Sequence, residues 1–287
     1  MREDGHGGSM TSLAMIVAVI QLSSQEDVAA NLARVRTQVE LAARAGAELV
    51  TLPENFAFMG EESEKRRIAE TLGTGPIGAE LARLAREAGV WIVAGGMPEA
   101  SDDPARPFNT SLLLDPNGNI AARYRKIHLF DVETPDGTKY HESNATNGGG
   151  IEAVVADVST RSGAAKLGMS ICYDLRFPEL YRRLLDAGAR IVTVPAAFTL
   201  QTGKDHWHVL LRARAIENQV FVLAPAQHGK HPRGRQTYGK SLVVDPWGDV
   251  LAQCAEGEGF AIARLDFAAQ DRVRAQLPCL SHRRIGV

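Results

Sequence analysis

Apolar and polar positions along the chain alternate between two rhythms. Short, nearly unbroken apolar runs occur at Met15–Leu22, Glu48–Leu52, Lys166–Cys172 and Arg190–Val194, the last continuing as IVTV. Runs of this length, rich in β-branched residues, predict strands buried on both faces. Between them lie longer stretches in which apolar residues return every three or four positions: Glu26–Ala45, Gly78–Ala88, Pro178–Ala187 and Lys204–Asn218. These predict amphipathic helices; in the last, Trp207, Leu210, Leu211 and Ala215 make one apolar stripe.

The pattern occurs twice. AGAELVTLPENF at 45–56 is echoed by AGARIVTVPAAF at 187–198, VWIVAGGMPE at 90–99 by VFVLAPAQHG at 220–229, and SLLLDPNGNI at 111–120 by SLVVDPWGDV at 241–250. The last pair carries an Asp-Pro-x-Gly turn between apolar runs in both copies. The first pair is offset by 142 residues and the other two by 130, so the first half holds an insert, which the charged stretch Glu61–Arg67 supplies as a helical segment. Two β-α-β-α-β-β halves of this kind predict an α/β fold, a four-layer αββα sandwich of two facing sheets with helices outside. The expected organisation is a polar N-terminal extension over residues 1–10, with Met10 an alternative start, and a single domain over 11–287.

Composition changes this picture little. The 287 residues carry a formal net charge of -2, with 45% hydrophobic and 23% charged positions, as ordinary globular proteins do. The dispersed basic residues give no electrostatic reason for a nucleic acid partner, and the run Leu13–Ile20 is too short to span a bilayer. No apolar core of signal-peptide length follows the polar start, and Cys172, Cys254 and Cys279 form neither a disulfide framework nor a CxxC pair. The expectation is a cytoplasmic protein with no membrane partner, in which the sequons at Asn109 and Asn144 stay idle.

Three reactive groups fall just past strand ends, where parallel α/β sheets bind ligands: Glu54 after LVTLP, Lys126 after AARYR and Cys172 after LGMSI. Pro178 and Glu179 mark a helix start shortly after Cys172, and a helix start favours the thiolate. Read singly, each has a bland alternative: a packed core cysteine, a carboxylate that caps a helix or pairs at the surface, a lysine whose stem runs along apolar surface. Other features point away from cofactors. GTGPIG at 73–78 follows a helical rather than a strand pattern, so it reads as a helix-start turn and not a dinucleotide loop. His206 and His208 face different sides of a helix, and His128, His141, His228 and His231 lack ligand spacing, so neither metal nor cofactor is expected. Cys254 and Cys279 read as structural.

LPENF, YRKIHLF and GMSICYDLRFPELYRRL resemble the three signature blocks of the nitrilase (carbon-nitrogen hydrolase) superfamily, and the likeness runs from about Met15 to about Arg284. Those blocks carry the superfamily's Glu-Lys-Cys triad, at Glu54, Lys126 and Cys172 here. VPAAFTLQTGKDHWHVLLRARAIENQ, GRQTYGKSLVVDPWG and LPCLSHRR are most similar to the Nit branch of deaminated glutathione amidases and omega-amidases, on the former's side. The resemblance implies an amidase that acts on a small, carboxylate-bearing linear amide through a cysteine thioester. It also implies a second carboxylate, best matched by Glu142 in YHESNAT, that orients Lys126 or the substrate. The segment after it, NATNGGG, departs from the Pro-Gly turn of the family. The Tyr173 N–H would join Lys126 at the oxyanion, Arg176 would meet a substrate carboxylate or else pin the strand–helix turn, and Phe198 and Thr199 would wall the pocket. By analogy the assembly is a homodimer or higher homo-oligomer. An N-carbamoyl amidohydrolase, an aliphatic amidase or a nitrilase would use the same triad. A non-catalytic binding module is disfavoured by the presence of all three residues, and a thiol redox sensor by the lack of a resolving cysteine near Cys172.

Overall fold

A computed structural model gives the fold; it describes residues 14–134 and 137–286. The predicted extension at 1–10 and the boundary at 11 lie outside the described residues. The first half runs β1 (Ala14–Leu22), α1 (Val28–Arg44), β2 (Leu49–Leu52), a 3-10 turn (Glu62–Arg67), α2 (Pro76–Ala88), β3 (Trp91–Glu99), β4 (Phe108–Leu114) and β5 (Ile120–Arg125). A short hairpin, β6 (Asp131–Glu133) and β7 (Lys139–His141), leads to a 3-10 turn at Glu142–Asn144. The second half runs β8 (Val155–Ser159), β9 (Ala164–Met169), a 3-10 turn (Cys172–Arg176), α3 (Pro178–Asp186), β10 (Ile191–Thr193), α4 (Leu200–Thr202), a π turn (Gly203–Trp207) and α5 (His208–Asn218). It closes with β11 (Phe221–Ala224), β12 (Ala226–Lys230), β13 (Gln236–Tyr238), β14 (Leu242–Val244), β15 (Val250–Gln253), β16 (Gly259–Asp266) and α6 (Phe267–Gln276).

One sheet has the order β13-β12-β1-β2-β3-β4-β5, with β16 antiparallel along β1, and the other β15-β14-β11-β10-β9-β8. Strand alternation sorts the side chains into layers. Met15, Val17 and Val19 of β1 pack with Leu167, Met169, Val192 and Val222 of the other sheet, while Ala18, Ile20 and Leu22 pack under Val35, Val39, Ile77 and Leu81 of α1 and α2. Both faces of β1 are therefore buried, which explains its unbroken apolar sequence. The αββα sandwich is the observed fold.

The two halves match in detail and then diverge. In both Asp-Pro-x-Gly turns an aspartate Oδ1 accepts the backbone N–H two and four residues on: Asn117 and Asn119 for Asp115, Trp247 and Asp249 for Asp245. The stretch at 220–229, matched in the repeat to 90–99, breaks at Pro225 where β3 runs on; β11 stays in its sheet and β12 crosses to pair with β1. The first-half insert is one 3-10 turn rather than a longer helix. The helix expected at Lys204–Asn218 begins earlier, at Leu200, and passes through the π turn before α5. Among the described residues no helix is long and apolar enough to cross a membrane.

GTGPIG is the start of α2, as its context predicted. The N–H groups of Ile77 and Gly78 donate to the Glu70 carboxylate at 2.6 and 3.0 Å, so a side chain already fills the anion position. A Cβ on Gly75 would lie 2.1 Å from that carboxyl carbon, which is why glycine stands there. Glu70→Ala should destabilise the protein by about 1–2 kcal/mol, the usual worth of a helix cap. Urea unfolding measures this, and a change below a few tenths would remove the capping role.

Candidate active site

Glu54 emerges from the end of β2 and is followed by Asn55 in a left-handed conformation, φ 61°. Lys126 continues directly from β5, its backbone N–H donating to the Asn109 carbonyl at 2.8 Å. Cys172 begins the 3-10 turn after β9, also left-handed at φ 47°, with its N–H on the Pro195 carbonyl at 2.9 Å. Glu142 opens the 3-10 turn after β7. All four side chains are buried, Lys126 with only 2% of its surface exposed.

They converge at one point. Lys126 Nζ lies 2.9 Å from Glu54 Oε1 and 3.0 and 2.8 Å from the two oxygens of Glu142. Asn109 Nδ2 donates to both carboxylates, at 2.9 Å to Glu54 and 3.3 Å to Glu142. The Ala197 N–H donates to Glu54 Oε2 at 3.0 Å, and the Phe130 N–H to Glu142 Oε2 at 2.7 Å. Cys172 lies close enough to Glu54 for each to shift the other's proton affinity. A Cβ on Gly96 would sit 2.8 Å from both Glu54 Cγ and Asn109 Oδ1, and the residue's φ of +70° also calls for glycine.

The charges are well defined. Burial alone would raise the Glu54 carboxyl, but the Lys126 ammonium, helped by Lys65, outweighs it and holds Glu54 below its usual range. Burial would likewise lower Lys126, yet Glu142 and Glu54 together hold it well above an ordinary lysine. Burial pushes the Cys172 thiol well up, and the neighbouring Glu54 adds to this against the pull of Lys126. The resting cluster is thus an ionised Glu54, a charged Lys126 and a neutral thiol. This reverses the expectation of a thiolate favoured by a helix start. The turn that Cys172 begins is only five residues long, α3 starts later at Pro178, and so short a turn offers little dipole against full burial.

The cluster forms part of the lining of a cavity of about 510 Å³, which Tyr173, Arg176, Phe198 and Thr199 also line. The eight residues singled out in the sequence therefore share one cavity. The Arg176 guanidinium lies over the Phe198 ring at 5.3 Å and within 3.3 Å of His206 Nδ1. Another stretch of wall joins the first-half insert to the β12–β13 loop: Lys65 and Arg235 both pair with Glu62, and Arg233 with Glu61. Burial would raise Glu62, but Lys65 and Arg235 hold it at about 2. This insert wall was not read from the sequence, where Glu61–Arg67 stood only as added length. Nor was Asn109, visible there only as a sequon; it is buried against both carboxylates. His206 and His208 do part, one to Arg176 and one to Gln253. Cys254 is buried, its thiol raised to about 12 by burial, whereas Cys279 is exposed.

The sequence model of the carbon-nitrogen hydrolase family matches residues 16–275. The deaminated glutathione amidase of Synechocystis is 46% identical over 269 residues, covering 93% of this chain and 97% of that protein. The crystal structure of the Caenorhabditis elegans NitFhit protein superposes with a TM-score of 0.87 at 41% identity, over 96% of this chain and 66% of that one. That of Saccharomyces cerevisiae Nit3, a member of branch 10 of the nitrilase superfamily, gives 0.84 at 32% identity, over 97% and 100%.

The Glu54–Lys126 pair has a definite pH signature. A carboxyl held below its unfolded value of 4.5 stabilises the fold above that pH, and the contribution is lost as pH falls through the lower folded value. Lys126→Met leaves two buried carboxylates without their cation and should cost about 3–5 kcal/mol near neutrality. The deficit should shrink toward about pH 4, because the variant's buried carboxylates, without their cation, take up protons there while the wild-type pair is still ionised. Denaturant unfolding at both pH values tests this; an equal deficit at both would refute the charge assignment.

Proposed function

The chain belongs to the carbon-nitrogen hydrolase family and is an amide-hydrolysing enzyme, and from that premise we propose that Cys172 is its nucleophile and that its substrate is a small carboxylate-bearing linear amide of the deaminated glutathione kind. The observation that carries this reading is the convergence of Cys172, Glu54 and Lys126 on one cavity, with Lys126 Nζ 2.9 Å from Glu54 Oε1.

Glu54 takes the thiol proton as sulfur attacks the amide carbonyl. The oxyanion forms beside the Lys126 ammonium and the Tyr173 N–H, which starts a helical turn and so has no carbonyl within it to serve. Protonated Glu54 then gives its proton to the departing nitrogen, since an amine leaves a tetrahedral carbon more readily than a thiolate only once protonated. The thioester that remains is hydrolysed by water, whose proton returns to Glu54 and then to sulfur. Glu142 fixes Lys126 with both its oxygens, which suits an ammonium that stays charged rather than one that acts as a base. No step calls for a cofactor.

Arg176 is the cation we assign to the substrate carboxylate. Lys65, Arg233 and Arg235 on the same cavity each face a glutamate, whereas the partners of the Arg176 guanidinium are a histidine nitrogen and an aromatic face. Phe198 and Thr199 wall the acyl end. We read residues 11–287 as one hydrolase domain: Glu54, Lys126 and Cys172 come from different halves, so neither half holds a site alone. We place it in the cytoplasm, consistent with its sparse free cysteines.

Deaminated glutathione and 2-oxoglutaramate both release 2-oxoglutarate on hydrolysis, so one assay serves both. Turnover of the former, abolished in Cys172→Ala, is the expected result. Arg176→Ala should raise KM about tenfold or more, since hydrogen bonds to charged groups are worth about 1.5–3 kcal/mol. Preference for 2-oxoglutaramate would move the substrate, and wild-type activity in Cys172→Ala would overturn the mechanism.

We also propose a homodimer or higher homo-oligomer through the outer face of α5. Val209 and Ile216 are 66% and 45% exposed there, and Trp247 of the adjoining turn is 58% exposed. Arg212 ties that turn to the helix through the Gly248 carbonyl at 2.7 Å, making one apolar patch. Trp247→Glu should shift sedimentation toward a monomer; a wild type that sediments as a monomer would exclude this interface.

A further inference from the structure

Two residues flank Lys126 at equal spacing, Tyr124 before it and His128 after it, and both reach a single carboxylate. Tyr124 Oη donates to Asp174 Oδ2 at 2.6 Å; the His128 backbone N–H lies 3.1 Å from Oδ1, and its ring Nδ1 2.7 Å from the same atom. Asp174 Oδ2 also accepts the N–H of Ile171, the residue before Cys172, at 2.8 Å. Asp174 itself follows Cys172 by two positions and has no exposed surface. One buried carboxylate therefore brackets the lysine on both sides and the cysteine on both sides.

The lysine and the cysteine belong to different sheets. Lys126 extends β5 at the edge of the eight-stranded sheet, and Cys172 follows β9 of the six-stranded one. The spacing between them is then an inter-sheet distance, which apolar packing alone sets loosely. Four hydrogen bonds from two segments saturate a carboxylate, so Asp174 has no capacity left for a substrate or a proton-transfer role. The bond from Tyr124 is durable: burial, with Asp174 beside it, raises that phenol well above its ordinary range, and it stays a donor. The far end of the turn is held as well, the His128 ring stacking on Phe177 at 3.6 Å and 6°.

We propose that Asp174 is a positioning residue that sets the Cys172 sulfur against the oxyanion site formed by Lys126 and the Tyr173 N–H. The proposal rests on the assignment of Cys172 as nucleophile. It concerns transition-state geometry, so the effect should fall on kcat and spare substrate binding. A displacement on the order of 1 Å at a reacting atom can cost about a hundredfold in rate.

The test compares Asp174→Asn and Tyr124→Phe with wild type in five measurements: kcat, KM, inhibition by succinic semialdehyde, alkylation of Cys172 by iodoacetamide and thermal midpoint. The aldehyde forms a tetrahedral adduct that needs the oxyanion site, whereas alkylation does not. Asp174→Asn should lower kcat about 10- to 100-fold with KM within about threefold, and should weaken aldehyde inhibition by a similar factor while alkylation persists. Tyr124→Phe removes one of the four bonds and should move the same quantities in the same direction by less. Folded variants with wild-type kcat would overturn the proposal. So would a parallel loss of kcat, alkylation and thermal midpoint, which marks a structural role only. If Asp174→Asn does not fold, Tyr124→Phe decides alone. Activity retained in Cys172→Ala would instead sink the nucleophile assignment on which this rests, a result distinguishable from an unimpaired Asp174→Asn beside a dead Cys172→Ala.

Discussion

A lysine buried between two carboxylates is the constraint around which the rest is arranged. An isolated ammonium as enclosed as Lys126 would cost several kcal/mol and would shed its proton. Two glutamates at hydrogen-bond distance prevent that, but they bring an excess negative charge of their own. The excess is met by neutral donors: Asn109 to both carboxylates, the Ala197 N–H to Glu54 and the Phe130 N–H to Glu142. These donors come from β4, from the loop after β5 and from the segment after β10. The cluster is satisfied only when both sheets are in register, so the arrangement that makes the site costly also makes it specific.

The same charges explain why Cys172 rests as a thiol. A thiolate beside Glu54 would add a further negative charge to a dry pocket, and burial with that carboxylate pushes the proton onto sulfur. In the proposed mechanism, passing the proton to Glu54 as the carbonyl arrives removes the carboxylate charge at the moment sulfur gains one. Total charge in the pocket then stays constant while it moves toward Lys126 and the incipient oxyanion. Such a site needs little solvent rearrangement during reaction, the general advantage of preorganised electrostatics. It also keeps an oxidisable thiolate from standing idle.

How much of this was legible depended on what a linear string can carry. The duplication, the strands and the sandwich were readable because burial of both strand faces is written directly as unbroken apolar runs. Glu54, Lys126 and Cys172 stood out as groups past strand ends, and Glu142 through family likeness, and the fold brings the four together. Asn109 and Asp174 did not stand out. An asparagine at the head of a strand and an aspartate in the first turn after a cysteine have common local explanations, and their partners lie 55 and 50 residues away. The break at Pro225 was hidden by its similarity to the unbroken β3, and the protonation of Cys172 reversed expectation because depth of burial is a property of the packed fold.

The repeat shows how one backbone course came to serve two chemical ends. Glu54 and Asn55 of the first copy align with Ala196 and Ala197 of the second, and the Glu54 carboxylate accepts the hydrogen bond of the Ala197 N–H. One half thus supplies the side chain and its counterpart supplies the backbone donor that fixes it. Backbone strain gathers at the same place, with Asn55 and Cys172 both held at positive φ. A non-glycine residue gives up about 1–3 kcal/mol there and persists only where its surroundings leave no alternative. At Cys172 those surroundings are the Pro195 carbonyl, from the segment after β10, on its N–H and the Asp174 carboxylate, from within the turn, on the residue before it. Strain at Cys172 and saturation of Asp174 are two views of one device, in which hydrogen bonds to neighbouring segments hold a conformation that the isolated turn would abandon.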